Sequence, residues 1–150
     1  NLHNFYNCVN ILGRILAFDF GEKRTGIAIT DELQIIASGL TTVQTKNIFS
    51  FLTEYLSKEI VVLFVVGEPK QMDNTESESE QFIKLFIQKL ASTFPKIPVE
   101  RVDERFTSKI AFQSMIESGL SKMKRRDKAL IDEISATLIL QSYLTQKSNL

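Results

Sequence analysis

This chain is poor in the residues from which the commonest catalytic and metal centres are built. It contains a single cysteine, Cys8, and a single histidine, His3. One cysteine excludes an internal disulfide framework and any cysteine-based zinc cluster. One histidine, close to the chain start, argues against a Ser-His-Asp or Cys-His triad. Both residues fall in a polar N-terminal extension, residues 1–12, expected to be mobile and outside the fold. That segment carries no lysine or arginine and no apolar core of the kind a signal peptide needs, so a cytoplasmic location is expected. Net charge is also absent: 18 basic residues balance 18 acidic ones. A neutral chain is no wholesale polyelectrolyte binder, although neutrality leaves room for local patches. The longest unbroken apolar run, Ile60 to Val66, is far short of the ~20 residues of a membrane span.

What is present fits one globular domain, expected over residues 13–150. The 150 residues are 43% hydrophobic and 24% charged. A domain of this length buries about 68–70% of its unfolded surface, enough for a core without staples. Arg14 to Asp19 reads as a strand buried on both faces, and Gly26 to Thr30 as its hairpin partner across the turn from Phe20 to Thr25. Ile35 to Val43 reads as a third strand, with a bulge expected at Gly39. Asn47 to Ser57 has helical spacing, and Ile60 to Val66 is a β-branched run bounded by Gly67 and Pro69, the pattern of a central strand. Thr75 and Glu78 have capping-box spacing and are expected to open a helix burying Phe82, Leu85, Phe86, Leu90 and Phe94 and ending at Pro95. Val99 to Glu104 reads as a strand and Ser108 to Glu117 as a helix closed by Gly119. A basic loop from Ser121 to Lys128 leads to a last helix, Ala129 to Thr145. The order βββαβαβαα implies an α/β fold with one mixed sheet and helices on both faces.

With histidine and cysteine set aside, chemistry falls to carboxylates. Asp19 ends an apolar strand, where a charged group costs desolvation energy unless it is paired or binds a metal; a turn-forming Asp is the rival reading. Glu104, next to Asp103, ends a second strand. Asp132 shares a helix face with Ser135, Ala136 and Ile139, and on its own would be read as a solvated acid paired with Lys128 one turn earlier. Together, three acids from three elements suit Mg²⁺ or Mn²⁺, which take oxygen ligands and can activate water against a phosphodiester. Lys23 and Arg24 lie in the turn after Asp19, either on phosphate or at a solvated hairpin tip. Lys122, Lys124, Arg125, Arg126 and Lys128 form a dense basic cluster that suits a phosphate backbone.

Four blocks, in order, then resemble the YqgF/RuvX family of RuvC-like proteins. They are Asp19-Phe-Gly-Glu-Lys-Arg-Thr-Gly-Ile-Ala28; Val66-Gly-Glu-Pro69 with Met72, Asp73 and Thr75; Val102-Asp-Glu-Arg-Phe-Thr-Ser108; and Asp132-Glu-Ile-Ser-Ala136 leading to Leu140-Gln-Ser-Tyr-Leu144. Glu68, Asn74 and Phe106 depart from the usual pattern, and none of the three is a presumed acid. The resemblance implies an RNase H-like fold with sheet order 3-2-1-4-5. It implies a metal-dependent nuclease that processes the 5′ end of pre-16S rRNA in ribosome biogenesis. Its acids would be Asp19, Glu104 and Asp132, with Asp103 the alternative for the middle position. Two further readings stand beside it: a Holliday junction resolvase acting on branched DNA, and a non-catalytic nucleic-acid-binding module. A resolvase would work as a homodimer, because two symmetric cuts need two sites; an RNA nuclease can be a monomer.

Overall fold

Successive side chains along each strand point to opposite faces of the sheet, and here both faces are covered. The computed structural model describes residues 13–70, 73, 75–104 and 127–148. Five strands, β1 (Arg14–Asp19), β2 (Arg24–Thr30), β3 (Ala37–Gln44), β4 (Val61–Glu68) and β5 (Val99–Asp103), form one sheet in the order β3-β2-β1-β4-β5. β1 is antiparallel to β2 and parallel to β4, and β5 is parallel to β4, so the sheet is mixed. The helices are α1 (Ile48–Leu56), entered through a 3₁₀ turn over Thr45–Asn47, α2 (Glu80–Thr93) and α3 (Lys128–Ser148). The expected helix over Ser108 to Glu117 lies outside the described residues.

β1 is buried along its interior, and its side chains alternate between two cores. Leu16 and Phe18 point to one face with Phe64 and Val66, under Ile48 and Leu52 of α1 and Ile83, Phe86 and Leu90 of α2. Phe18 meets Phe86 edge-on with ring centroids 5.2 Å apart, a geometry favoured by the ring quadrupoles. Ile15 and Ala17 point to the other face with Ala28, Val65 and Val102, under Ala136, Ile139 and Leu140 of α3. α3 starts where the Asp127 carboxylate accepts the amides of Ala129 and Leu130, an N-cap that satisfies two of its free N–H groups. No helix among the described residues is long and apolar enough to cross a membrane.

Several boundaries differ from the sequence reading. β3 begins at Ala37, two residues late, because the Asp31 carboxylate takes the amides of Leu33, Ile35 and Ile36 and folds them into a turn. Its register slips opposite Ile27 and Ala28, which leaves Leu40, beside Gly39, as the extra residue. Ile60 is exposed, and β4 runs instead from Val61 through Glu68. The capping box does not form: Thr75 turns back onto Asp73, and α2 starts only at Glu80. α2 is also rotated from its expected phase. Phe82 and Leu85 are exposed, while Ile83 and Glu80 are buried. Glu80 is drawn inward because Arg101 of β5 grips its carboxylate with both terminal nitrogens, at 2.7 and 3.1 Å.

Candidate active site

The period-2 rule carries the alternation of β1 and β5 one step past the apolar core. Asp19 follows Ala17 on the α3 face, and Glu104 follows Val102 on the same face. β1, β4 and β5 run parallel, so their carboxyl ends share one edge of the sheet, where ligands of α/β folds commonly bind. The ladder continues past β5, with the Glu104 amide donating to the Glu68 carbonyl at 2.9 Å. Gly67 leaves the room that Glu104 fills, since a Cβ there would collide with Glu104 Oε1.

Asp19 and Glu104 meet. Their carboxyls share a hydrogen bond. Burial pushes Asp19 up from 3.8 to about 7, helped by the negative charge of Asp132, while the hydrogen bond with Glu104 pulls it back. Burial also pushes Glu104 up from 4.5 to about 8, with the charge of Asp19 adding to the rise and the Arg101 guanidinium opposing it. Two carboxyls forced together out of water keep a proton between them near neutral pH.

Asp132 stands beside this pair. Gly26, the antiparallel partner of Asp19 in β2, lies directly under the Asp132 carbonyl, so that a Cβ at position 26 would strike the α3 backbone. The Asp132 carboxylate is held by Arg24, whose Nε donates to Oδ2 at 2.9 Å. That partner lies 108 residues away in the chain and replaces the Lys128 expected within the same helix. The structure therefore makes a contacting pair of Asp19 and Glu104, with Asp132 coupled to Asp19 by charge and held on an arginine. Among the described residues, no three acidic, histidine or cysteine side chains close into a set that could hold an ion. Asp19 and Glu104 alone fit a divalent cation: both are hard oxygen donors, and the proton they share marks where a positive charge is stabilised.

The basic residues divide. Arg24 begins β2 and pairs with Asp132, while Lys23 is exposed in the turn before it. Lys124, Arg125 and Arg126 lie outside the described residues, as does Lys122; Lys128 opens α3 exposed. Asp103 is half-buried at the end of β5, on the face opposite Glu104 by alternation. Glu68 ion-pairs with Lys70 at 3.4 Å, which offsets the extra charge it brings to the β4 end. Sequence reasoning missed Arg101, which holds Glu80 and also donates to the carbonyls of Val66 and Gly67 at 3.3 and 3.0 Å. Nothing local in the sequence marks that contact. A wider depression of about 800 Å³ lies at the far end of β1, around Ile15, Leu63 and Leu144, and is lined by none of the predicted acids.

A 3-2-1-4-5 mixed sheet with helices on both faces is the RNase H-like fold. T. thermophilus RuvC in complex with Holliday junction substrate shares the fold, with a TM-score of 0.53 over 91% of this chain and 97% of that one, at 14% identity. The chain belongs to the RuvX family, whose model, described as Holliday junction resolvase, matches residues 13–146. A relative from Christiangramia forsetii, named "Putative pre-16S rRNA nuclease", is 61% identical over 133 residues, 89% of this chain and 98% of that protein. A relative of the same name from Flavobacterium psychrophilum is 59% identical over 134 residues, again 89% of this chain and 98% of that protein.

Proposed function

We propose that this chain is a cytoplasmic endonuclease that hydrolyses phosphodiester bonds at the 5′ end of pre-16S rRNA, with residues 13–150 as its single catalytic domain. The buried Asp19–Glu104 pair at the carboxyl ends of β1 and β5 carries the reading. Burying two carboxyls side by side costs stability, and a site for a cation facing a phosphate is the chemistry that gives such a pair a use. The names of the two close relatives supply the RNA substrate.

Asp19, Glu104 and Asp132 are the proposed catalytic acids; Asp19 and Glu104, the contacting pair, would hold Mg²⁺ or Mn²⁺, and Asp132 would add its charge beside them from α3. A divalent cation there would supply Lewis-acid stabilisation of the charge that develops on the scissile phosphate. The remaining work belongs to the chain. Gly67 and Gly26 let Glu104 and the α3 backbone close on the sheet edge, which fixes the acids without mobile linkers. Lys23 and Arg24 hold the strand on one side. Lys124, Arg125 and Arg126 are assigned to backbone phosphates, since the chain reaches Asp132 only a few residues later.

The test incubates the purified protein with labelled precursor 16S rRNA and with a four-way DNA junction, each with Mg²⁺, Mn²⁺ or chelator. Metal-dependent cutting of the rRNA, abolished in Asp19→Asn, is the expected result. The family description favours a second reading, resolution of branched DNA by a homodimer; cutting of the junction with intact rRNA would establish it. No cutting of either under any metal would leave a binding module.

A further inference from the structure

The turn after Asp19 and the end of β3 enclose a groove of about 350 Å³ lined by Glu22, Lys23, Arg24, Gln44 and Lys46. We infer that this groove is a subsite for a nucleic-acid backbone phosphate, with Lys46 as a third cation beside Lys23 and Arg24. The inference rests on the nuclease reading above and adds to it a residue that neither the sequence motifs nor the acid site points to.

Three observations carry it. First, the groove is built, not frayed. Thr45 donates its amide to the Lys23 carbonyl at 2.9 Å and its hydroxyl to the Gly21 carbonyl at 2.5 Å. The buried Thr25 hydroxyl lies 2.9 Å from Thr45 Oγ1 and, with that proton already committed, is the donor. These three bonds lock the 3₁₀ turn carrying Lys46 against the turn carrying Lys23, and Arg24 pairs with Gln44 across the β2–β3 ladder. Second, among the described residues no acid lies within ion-pair distance of Lys23 or Lys46, although Glu22 stands on the rim. Two exposed ammonium groups on a fixed frame are thus left for an anion. Third, the groove adjoins the acids, because Arg24 lines it and also holds Asp132. A strand whose phosphate enters between Lys23 and Lys46 passes next to Asp19, which ends the strand leading into this turn.

The chemistry recognised is the phosphodiester backbone common to RNA and DNA, so the groove grips without reading sequence. Each phosphate contact releases condensed counterions, and a log–log salt slope of roughly −0.7 per contact is expected on single strands. The experiment measures binding of a labelled single-stranded RNA and of a four-way DNA junction by fluorescence anisotropy across a salt series, in chelator so that no strand is cut. Lys46→Gln should flatten the RNA slope by about 0.7, and Lys23→Gln with Lys46→Gln by about 1.4, equal to roughly 25-fold weaker binding at 0.1 M salt. Lys58→Gln, which removes the same charge from the end of α1, should leave the slope unchanged. Melting temperatures of all variants should match wild type, since these side chains are exposed. A Lys46→Gln slope equal to that of wild type, or a Lys58→Gln slope flattened as much, overturns the subsite while wild-type binding leaves the nuclease reading intact. A wild type that binds neither nucleic acid overturns both.

Discussion

Removing the charge from the Asp19–Glu104 pair should stabilise the protein above neutral pH, and the pair dictates the sign. Both carboxyls titrate higher in the fold than in the unfolded chain, Asp19 at about 7 against 3.8 and Glu104 at about 8 against 4.5. Between pH ~4 and ~8 the native state therefore holds more protons than the unfolded state, and stability falls as pH rises. Below this window both states are protonated and the fold carries no penalty; above it the penalty is complete. For Asp19, about three pH units at 1.36 kcal/mol each give roughly 4 kcal/mol. Glu104 adds to this loss, since burial is the largest cause of its rise as well and the charge of Asp19 adds to it. Against a typical total of about 5–15 kcal/mol, this is a large share.

Urea titrations in chelator at pH 5 and pH 8.5 read the effect directly. Between pH 5 and 8.5 Asp19 alone loses about two pH units' worth, roughly 3 kcal/mol, so with a slope of about 2 kcal/mol per molar urea the wild-type midpoint should drop by at least about 1.5 M. The double variant Asp19→Asn, Glu104→Gln keeps the shapes and removes the charges. It should show little drop and exceed wild type at pH 8.5. Asp31 and Asp73 do not interfere. Their carboxylates accept local hydrogen bonds and titrate below the usual range, so their contribution is lost only as pH falls below ~4. A wild-type midpoint that is level or rises from pH 5 to 8.5, or a double variant that falls as steeply, refutes the shared-proton account.

Two further outcomes follow from the same contacts. Millimolar Mn²⁺ or Mg²⁺ should raise the melting temperature at pH 8 more than at pH 5.5, where protons occupy the pair, and Asp19→Asn should lose the shift; equal shifts in both proteins would count against binding at this site. Arg101→Met strands the buried Glu80 carboxylate and should cost about 3–5 kcal/mol by urea titration, whereas adding Glu80→Gln should recover much of the loss; a single variant as stable as wild type would show that the bidentate pair holds nothing.

The strand ends were legible because alternation along β1 and β5 needs no long-range information. Ile15, Ala17 and Asp19 fall on one face by count alone, and so do Val102 and Glu104. That these two faces coincide depends on β4 lying between them, which the 3-2-1-4-5 order of the resembling family supplied and the structure shows. The phase of α2 was not legible. Hydrophobicity favours burying Phe82 and Leu85, but Arg101 pulls Glu80 inward and rotates the helix so that Ile83 takes the core position. A polar contact between β5 and α2 thus overrules the apolar stripe, and no window of local sequence contains both partners. Ile35 and Ile36 fail as strand residues for a shorter-range reason, since Asp31 claims their amides before β3 can pair them. Asp132 repeats the lesson at the site. Its natural helical partner was Lys128, yet packing of α3 over Gly26 brings Arg24 closer.

Arg24 consequently stands between two functions that a neutral protein must keep apart. A polyanion needs cations, and a cation site needs carboxylates; with 18 charges of each sign, separation has to come from position. The α3 face of the sheet edge collects Asp19, Glu104 and Asp132, while the turn tied down by Thr45 carries Lys23 and Lys46. Arg24 lies on the boundary, lining the groove and pairing its guanidinium with Asp132. A backbone phosphate reaching the groove competes with Asp132 for that guanidinium, and any hold it gains there leaves Asp132 less neutralised beside Asp19. Substitution of Arg24 would therefore weaken strand binding and alter the acid site at once, and loss of cutting in such a variant could not be assigned to either. Lys46 has no such double contact, which makes it the residue whose removal reports on the backbone alone.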